Sequence, residues 1–245
     1  MDAFVIEIAG FAVRVEPLYE TTALYCQKYW TDRPAELSIT VECGSLSREQ
    51  ILLDMEADAE GLKRRKFSDP FLERSFIQRR VGELLLERKV LLMHGSTVAV
   101  DGAAYLFTAP CGTGKSTHTR LWREVFGNRA VMVNDDKPFL RFAEEGVLAY
   151  GSPWTGKHGL GSNVCYPLKG ICILSRGTEN NIRRADPLAV RKFLRQQCFV
   201  PEEGKERAFS LVDRLMDSVP VWQMECTKNP QAASVAWEAM SCAAE

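Results

Sequence analysis

The stretch MHGSTVAVDGAAYLFTAPCGTGKST, residues 93–117, decides the fold of this chain. Apolar residues alternate with other residues on both sides of Asp101–Gly102. Such a dipeptide between two alternating runs favours a two-residue hairpin turn, because both central residues need positive φ. With that turn, the position numbers of every facing pair add up to the same total, so His94 lies opposite Ala109. The hairpin therefore predicts a histidine beside the point where its second strand ends.

The second strand leads into APCGTGKSTH, residues 109–118, which departs from the phosphate-loop pattern G-x-x-x-x-G-K-[ST] only at Ala109. A helical pattern follows it, so backbone N–H groups and a helix N-terminus would face an anion. The pattern assigns Lys115 to the outer phosphates and Ser116 to Mg²⁺. A chance glycine-rich loop is the alternative. The predicted nucleotide-binding residues are Cys111, Gly112, Thr113, Gly114, Lys115, Ser116 and Thr117.

Two acids, Asp135 and Asp136, follow the apolar run VMVN. Acids at the carboxyl end of a strand beside such a loop can reach a metal ion or an attacking hydroxyl group. Adjacent side chains on a strand point to opposite faces, so the two acids should have different tasks. The alternative is an ordinary strand-to-turn junction, because DDKP is also good turn chemistry. A lone histidine is more often structural, but the hairpin register brings His94 into this group.

A further segment, YGSPWTGKHGL at residues 150–160, combines glycines and proline with an aromatic and two basic side chains. Lys157 or His158 could neutralise charge on a phosphoryl group in transfer. We therefore add Lys157 to the candidate catalytic residues, with an ordinary surface turn as the alternative.

Periodicity organises the rest of the chain. AFVIEIAGFAVRVEP predicts two short strands around Gly10, AELSITVE predicts a third, and DPFLERSFIQRRVGELLLERK predicts a helix. Beyond the acids, further strand and helix patterns follow one another to the end of the chain. We predict an α/β (α+β) fold, with a mixed sheet and flanking helices over residues 88–245. A small β-rich and helical subdomain over residues 1–87 could recognise an acceptor at a sheet edge.

The composition excludes several classes of protein. Apolar residues make up 46% of the chain, charged residues 26%, and the net charge is −1, which gives no electrostatic footprint for a nucleic acid. Eight cysteines form no C-x-x-C pair, and without a signal peptide they indicate reduced thiols of a cytoplasmic protein. No apolar run reaches the roughly 18 residues of a membrane helix. We expect neither a nucleic acid nor a membrane as a partner.

With VMVNDD, the quoted stretch resembles the catalytic core of HPr kinase/phosphorylase and, more distantly, ATP-dependent phosphoenolpyruvate carboxykinase, which share a phosphate-loop core. The resemblance covers roughly residues 88–175, a C-terminal strand and a C-terminal helix, and it leaves out the first 85 residues. It implies that Asp135 takes the proton of the attacking hydroxyl, that Asp136 lies at the metal, and that His94 lies near the phosphates. Cys111 stands where the family has serine. GSPWTGKHG replaces the family's phosphorolysis segment and resembles smaller HPr-kinase-like proteins encoded near peptide-modification genes.

The resemblance implies ATP and Mg²⁺ as cofactors and transfer of the γ-phosphoryl group to a hydroxyl acceptor, foremost a serine of a peptide or small protein. Two alternatives stay open: a kinase of sugars or polyols on the same core, and a non-catalytic regulator that binds a nucleotide. The family likeness also raises the expectation of a homo-oligomer.

Overall fold

A computed structural model describes residues 2–59 and 61–242. The chain divides into two compact units, Met1–Leu84 and Leu85–Glu245. The sequence placed the boundary after residue 87, three residues further along. None of the helices in the described ranges is both long and apolar enough to cross a bilayer.

The first unit contains a small sheet. Strands β1 and β2 form the hairpin predicted around Gly10, in which Ala9 (φ 52°) and Gly10 (φ 81°) make the turn. Strand β3 pairs parallel to β2, so the strand order is β1-β2-β3. The elements are β1 Phe4–Ile8, β2 Phe11–Glu16, α1 Glu20–Tyr25, β3 Leu37–Thr40, α2 Cys43–Ala59 and α3 Asp69–Leu86, the last of which ends just past the boundary.

The second unit contains a larger mixed sheet. Within its described residues, seven strands follow the order β4-β8-β9-β10-β6-β5-β7, while β12 pairs with β10 and β11 with β12. The elements are β4 Val90–Leu92, β5 Ser96–Val100, β6 Ala103–Thr108, α4 Lys115–Phe126, β7 Ala130–Asn134, β8 Phe139–Ala143, β9 Gly146–Tyr150, β10 Cys165–Arg176, β11 Asn181–Arg184, α5 Pro187–Gln196, α6 Lys205–Ser218, β12 Val221–Cys226 and α7 Gln231–Ser241. The mixed α/β architecture matches the predicted fold class.

The hairpin of β5 and β6 has the register that the sequence predicted. Its pairs run from Ser96 opposite Phe107 to Val100 opposite Ala103. Asp101 (φ 51°) and Gly102 (φ 81°) make the turn, and both have the positive φ that a two-residue turn of this type requires. A local signal of two residues was sufficient here because the register of a hairpin is fixed by its turn.

The topology around β5 positions the loop and the acids. Strand β5 is antiparallel to both β6 and β7, so β6 and β7 run in the same direction. Their carboxyl ends therefore lie at one edge of the sheet, and the residues entering β5 lie between them. The loop after β6, the acids after β7 and His94 before β5 meet there as a consequence of strand direction.

Both faces of the larger sheet are covered. Side chains alternate along β6, so Leu106 packs on one face with residues of α5 and α6, such as Leu194 and Leu215. Phe107 packs on the other face with residues of α4 and α7, such as Trp122. Both β6 residues are fully buried. The strand that leads into the loop is thus fixed from both sides.

Strands β7 and β11 are among the elements that differ from the sequence predictions. Strand β7 ends at Asn134, so the acids lie in the bend after the strand and not on it. Their orientation is therefore set by the bend and not by strand alternation. Strand β11 was not predicted, because its sequence NIRR is polar and exposed, and its pairing with β12 depends on tertiary structure.

Candidate functional site

The glycine-rich loop connects β6 to α4. Gly112 (φ 75°) and Gly114 (φ 123°) both have positive φ, which a side chain would strain. Ala109 is fully buried at the end of the strand, where a small residue suffices. The Lys115 ammonium donates to the Ala109 carbonyl at 2.9 Å, so the lysine folds back across the loop. Ser116 and Thr117 follow in the first turn of α4.

A second strand contributes an arginine to this loop. Strand β10 pairs parallel to β6 up to Thr108, so the last residues of β10 run alongside the loop. Arg176, at the end of β10, donates to the Gly112 carbonyl at 2.7 Å. A cavity of about 440 Å³ lies here, lined by Pro110, Cys111, Gly112, Thr113, Leu174, Ser175 and Arg176. The sequence analysis missed Arg176, because its place depends on the pairing of strands distant in sequence.

Asn134 shapes the bend that carries the acids. Its side-chain carbonyl accepts from the amides of Asp136 (2.8 Å) and Lys137 (2.6 Å). Its amide group donates to the carbonyl of Ser152 at 3.1 Å and to that of Trp154 at 3.3 Å. This buried asparagine therefore joins the acid bend to the segment after β9. Sequence reasoning gave it no role, although an asparagine that ends a buried strand is a common turn former.

Asp135 is a buried carboxyl group with one satisfied oxygen. Its side chain is 3% exposed, and Oδ1 accepts from the Gly156 amide at 2.6 Å. Oδ2 has no hydrogen-bond partner among the residues that the structure describes. Burial raises the pKa of Asp135, and the nearby charge of Asp136 adds to the rise, against the Gly156 amide and His158. Asp135 therefore holds an unpartnered carboxylate oxygen in a largely buried position.

Gly156 allows the backbone to approach Asp135. A Cβ atom at this position would lie 3.4 Å from both carboxylate oxygens of Asp135 and from the Cβ atom of Asp136. A Cβ atom here would be in van der Waals contact with both acids. The segment after β9 therefore lies directly against the acid bend.

Asp136 forms a pair with His94. The His94 Nε2 atom lies 3.3 Å from Asp136 Oδ1. Burial raises the pKa of Asp136, but the bond from His94 and the charges of Lys137 and Lys115 outweigh it, and the net shift is downward. The bond to Asp136 raises the pKa of His94, yet burial and the two lysines lower it overall. Two adjacent acids thus differ: Asp135 is held towards its neutral form and Asp136 as a carboxylate.

The backbone of the β5 entry fixes this pair. The Gly95 amide donates to the Asp136 carbonyl at 3.0 Å, and the His94 amide donates to the Gln197 carbonyl at 2.7 Å. The Thr108 hydroxyl donates to the His94 carbonyl at 3.0 Å. A Cβ atom on Gly95 would lie 3.0 Å from the Phe107 carbonyl oxygen, so only glycine lets the strands approach this closely. His94 is consequently held at a fixed place at this edge of the sheet.

The remaining candidates lie around this centre. Lys157 is exposed in the turn after Gly156, and the charge of its neighbour His158 acts on Asp135. Within the described ranges, no group of three or more His, Cys, Asp and Glu side chains could hold a metal ion. Ser116 and Asp136 supply oxygen donors of the kind that Mg²⁺ prefers, and Mg²⁺ usually takes its other ligands from phosphates and water. The residues present are therefore compatible with a magnesium ion bound together with a nucleotide.

No family model matches the chain, and no curated protein matches it. Among solved structures, the fold is similar to that of the HPr(Ser) kinase/phosphatase from Coxiella burnetii. That likeness has 14% sequence identity and a TM-score of 0.37, and it covers 60% of this chain and 95% of that one. Similarity at this level carries no argument about activity, so the function is argued from the site.

Proposed function

We propose that this chain is an ATP-dependent phosphotransferase that moves the γ-phosphoryl group to a hydroxyl group, foremost a serine of a peptide or small protein. One observation carries the proposal: the buried Asp135 has an oxygen that no described residue partners, in a bend that shares a sheet edge with a phosphate-type loop. An orphaned carboxylate oxygen is costly in a stable fold. A hydroxyl group of a substrate would satisfy it.

The loop and the start of α4 would bind the nucleotide phosphates. The positive-φ glycines turn backbone N–H groups towards an anion, and the partial positive charge of the helix N-terminus adds to the attraction. Lys115 would exchange its bond to the Ala109 carbonyl for the outer phosphates. Arg176, bonded to Gly112, would keep the loop in its shape from outside. Mg²⁺, when bound, neutralises charge on the phosphates.

The metal would be held by Ser116 and Asp136. The lowered pKa of Asp136 keeps it an anion, which a cation site requires. His94 supports that role because its Nε2 atom orients Oδ1 of the same carboxylate. Lys157, exposed after Gly156, would add positive charge near the transferred group. These assignments give the two adjacent acids the separate tasks that their surroundings favour.

Asp135 would act as the general base. The hydroxyl oxygen of the acceptor attacks the γ-phosphorus, the bond from that phosphorus to the ADP oxygen breaks, and the hydroxyl proton passes to Oδ2 of Asp135. A raised pKa makes a carboxylate a better proton acceptor at neutral pH. The Gly156 amide, which holds Oδ1, would fix the direction of Oδ2 during the transfer.

The decisive experiment incubates the full chain with γ-labelled ATP, Mg²⁺ and a panel of serine peptides, sugars and polyols, followed by mass spectrometry of the products. We expect a labelled serine peptide. Asp135→Asn should lower the rate by about 10²- to 10⁴-fold, the usual contribution of general base catalysis, and should still bind ATP. Asp217→Asn, at an exposed position on α6, is the matched control and should retain the rate.

Other outcomes identify the alternatives. Labelled sugar or polyol with no labelled peptide would make the chain a small-molecule kinase. ATP binding by both the parent and Asp135→Asn, with no transfer to any acceptor, would make it a nucleotide-binding regulator. A regulator has no use for an unpartnered buried base, which is why we favour transfer.

A further inference from the structure

A groove between α5 and α6 is not used by the proposed chemistry. The two helices are joined by residues 197–204, and the space between them has a volume of about 740 Å³. Such a volume accommodates several side chains and is larger than a small anion needs. The lining residues are Leu188, Arg191, Lys192, Arg195, Gln196, Val200, Pro201, Glu202, Lys205 and Phe209.

The charge of this groove is positive. Four of its lining side chains are cationic and one, Glu202, is anionic, whereas the whole chain has a net charge of −1. Asp213 bonds Arg195 at 2.6 Å and lies 3.6 Å from Arg191, which fixes two guanidinium groups in place. Lys192 and Lys205 are exposed at the groove. Glu202 and Asp213 offset two of the four cationic charges, and the remaining net positive charge favours an anionic ligand.

The floor of the groove is apolar. The Arg195 guanidinium lies 4.7 Å from the centre of the Phe209 ring, and the Lys205 ammonium lies 5.7 Å from it. Leu188, at the start of α5, is 71% exposed at the rim of the groove and adds apolar surface to that of Phe209. Cations around apolar side chains complement a peptide in which acidic and apolar residues alternate. A bare phosphate chain would leave Leu188 and Phe209 uncovered.

The groove adjoins the candidate active site. Gln196 lines it, and the backbone carbonyl of the next residue, Gln197, accepts a hydrogen bond from the His94 amide. The side-chain oxygen of Gln197 lies 3.2 Å from the Thr108 hydroxyl oxygen. The Phe199 amide donates to the Leu92 carbonyl at 2.9 Å. The connection between the two helices is therefore bonded to the segments that carry His94 and the start of the phosphate-type loop.

We propose that this groove binds an acidic, apolar-containing segment of the peptide acceptor. The proposal rests on the proposed function and names the acceptor's class: a peptide with Glu or Asp residues interspersed with Leu or Phe near its serine. The acidic residues pair with Lys192 and Lys205, and the apolar ones cover Leu188 and Phe209. Because the site is in the second unit, it differs from the expectation that residues 1–87 recognise the acceptor.

Binding is measured first without ATP, by fluorescence anisotropy on the full chain. The probe is a short labelled peptide in which Glu alternates with Leu and Phe around one serine. We expect binding that weakens as salt rises, because the charged contacts are exposed. Probes with Lys in place of Glu, or Ser in place of Leu and Phe, should bind more weakly. Equal binding of the three probes would overturn the proposal.

The groove is tested with charge reversals at exposed positions, which spare the core. The double variant Lys192→Glu with Lys205→Glu should lower the affinity for the acidic probe by about tenfold, because charges at the rim would then repel the charged ligand. Lys169→Glu with Lys228→Glu makes the same change of charge on exposed residues outside the groove and should have no effect. Equal loss in both pairs, or no loss in the first, would sink the assignment and return acceptor recognition to the first unit.

Transfer assays separate this inference from the proposed function. If the chain is a kinase, the groove variant should raise KM for a serine peptide carrying the acidic segment and leave kcat unchanged. If the peptide binds in the groove but the chain transfers no phosphoryl group, the proposed kinase function is refuted. The groove would then still be a peptide-binding site, but its peptide would not be a phosphoryl acceptor. A homodimer that the groove variant dissociates would overturn the proposal, because the occupant would then be a second copy of the chain.

Discussion

Two buried carboxylates, one in each unit, differ in how their oxygens are satisfied. Glu49 in the first unit is 1% exposed, and its Oε1 accepts from the Ser75 hydroxyl at 2.7 Å. The Arg79 Nε atom lies 3.0 Å from each of its oxygens. Asp135 in the second unit is as deeply buried, and its Oδ1 accepts from the Gly156 amide, but Oδ2 is left without a partner in the described residues.

The number of bonded oxygens separates a structural acid from one that can bind a substrate. A carboxylate with both oxygens bonded holds helices together, because removing any of its partners leaves a buried charge unpaired and destabilises the fold. A carboxylate with one free oxygen stabilises nothing with that oxygen and is available for a substrate. Glu73 in the first unit also has one oxygen that no described residue partners, while its other oxygen accepts from the Leu18 amide, so an unpartnered oxygen alone does not mark a substrate site. Asp135 differs from the other buried acids because its unpartnered oxygen lies beside the glycine-rich loop.

The largest expected effect on stability is at Glu49. Glu49→Ala should lower the free energy of unfolding by about 3–5 kcal/mol, because it leaves the half-buried Arg79 without its principal anion. Urea denaturation followed by circular dichroism measures it. Glu56→Gln, which removes the exposed second partner of Arg79, should cost less than about 1 kcal/mol. Equal losses in the two variants would break the contrast, because the buried bonds would then matter no more than the exposed ones.

A medium effect is expected at His118, which is buried in the second unit with one nitrogen bonded to the Trp122 indole at 3.1 Å and the other without a described partner. Burial lowers its pKa to about 4. The neutral His118 side chain therefore contributes its full stabilisation above the ordinary histidine pKa. That stabilisation is lost as the pH falls towards 4. Between pH 7.5 and 5 that loss should be about 2 kcal/mol.

The test at His118 uses His118→Gln, whose side-chain carbonyl can still accept from Trp122 and does not titrate. Its free energy of unfolding should fall less steeply between pH 7.5 and 5 than that of the parent, with tryptophan fluorescence as the probe. His158→Gln, at an exposed position, should keep the parent's slope. A parent curve that is flat over this range would show that His118 carries its proton in the fold.

The smallest effect is at Asp135 itself. Its raised pKa means that stability is lost as the pH rises from the ordinary aspartate value through the raised one. Asp135→Asn removes that loss, so its free energy of unfolding at pH 7.5 should be about 1 kcal/mol higher than that of the parent. The difference between the two proteins should shrink as the pH is lowered. Thermal denaturation with Asp217→Asn as control measures it. A variant less stable than its parent at pH 7.5 would place Asp135 with Glu49 among structural acids.

Sequence reasoning succeeded where the signal was local. Asp101–Gly102 predicted the register that brings His94 to the sheet edge, because the turn alone fixes a hairpin. It failed where the signal was distant. Arg176 reaches the loop through the pairing of β10 with β6, and Asn134 joins the acid bend to Ser152 across two further strands. No sequence pattern within one element predicts these contacts, because they depend on the order of the strands in the sheet.

The strand order has a consequence for how this site can change. Because β5 stands between β6 and β7, the loop and the acid bend are separated by two strand spacings, about 10 Å in total. This distance is a property of the sheet and does not depend on any side chain at the edge. Substitutions can change the chemistry at this edge, but the span between the glycine-rich loop and the acid bend stays constant. Under the proposed function, a fit to a larger or smaller acceptor would therefore come from the length of the loops that border this span.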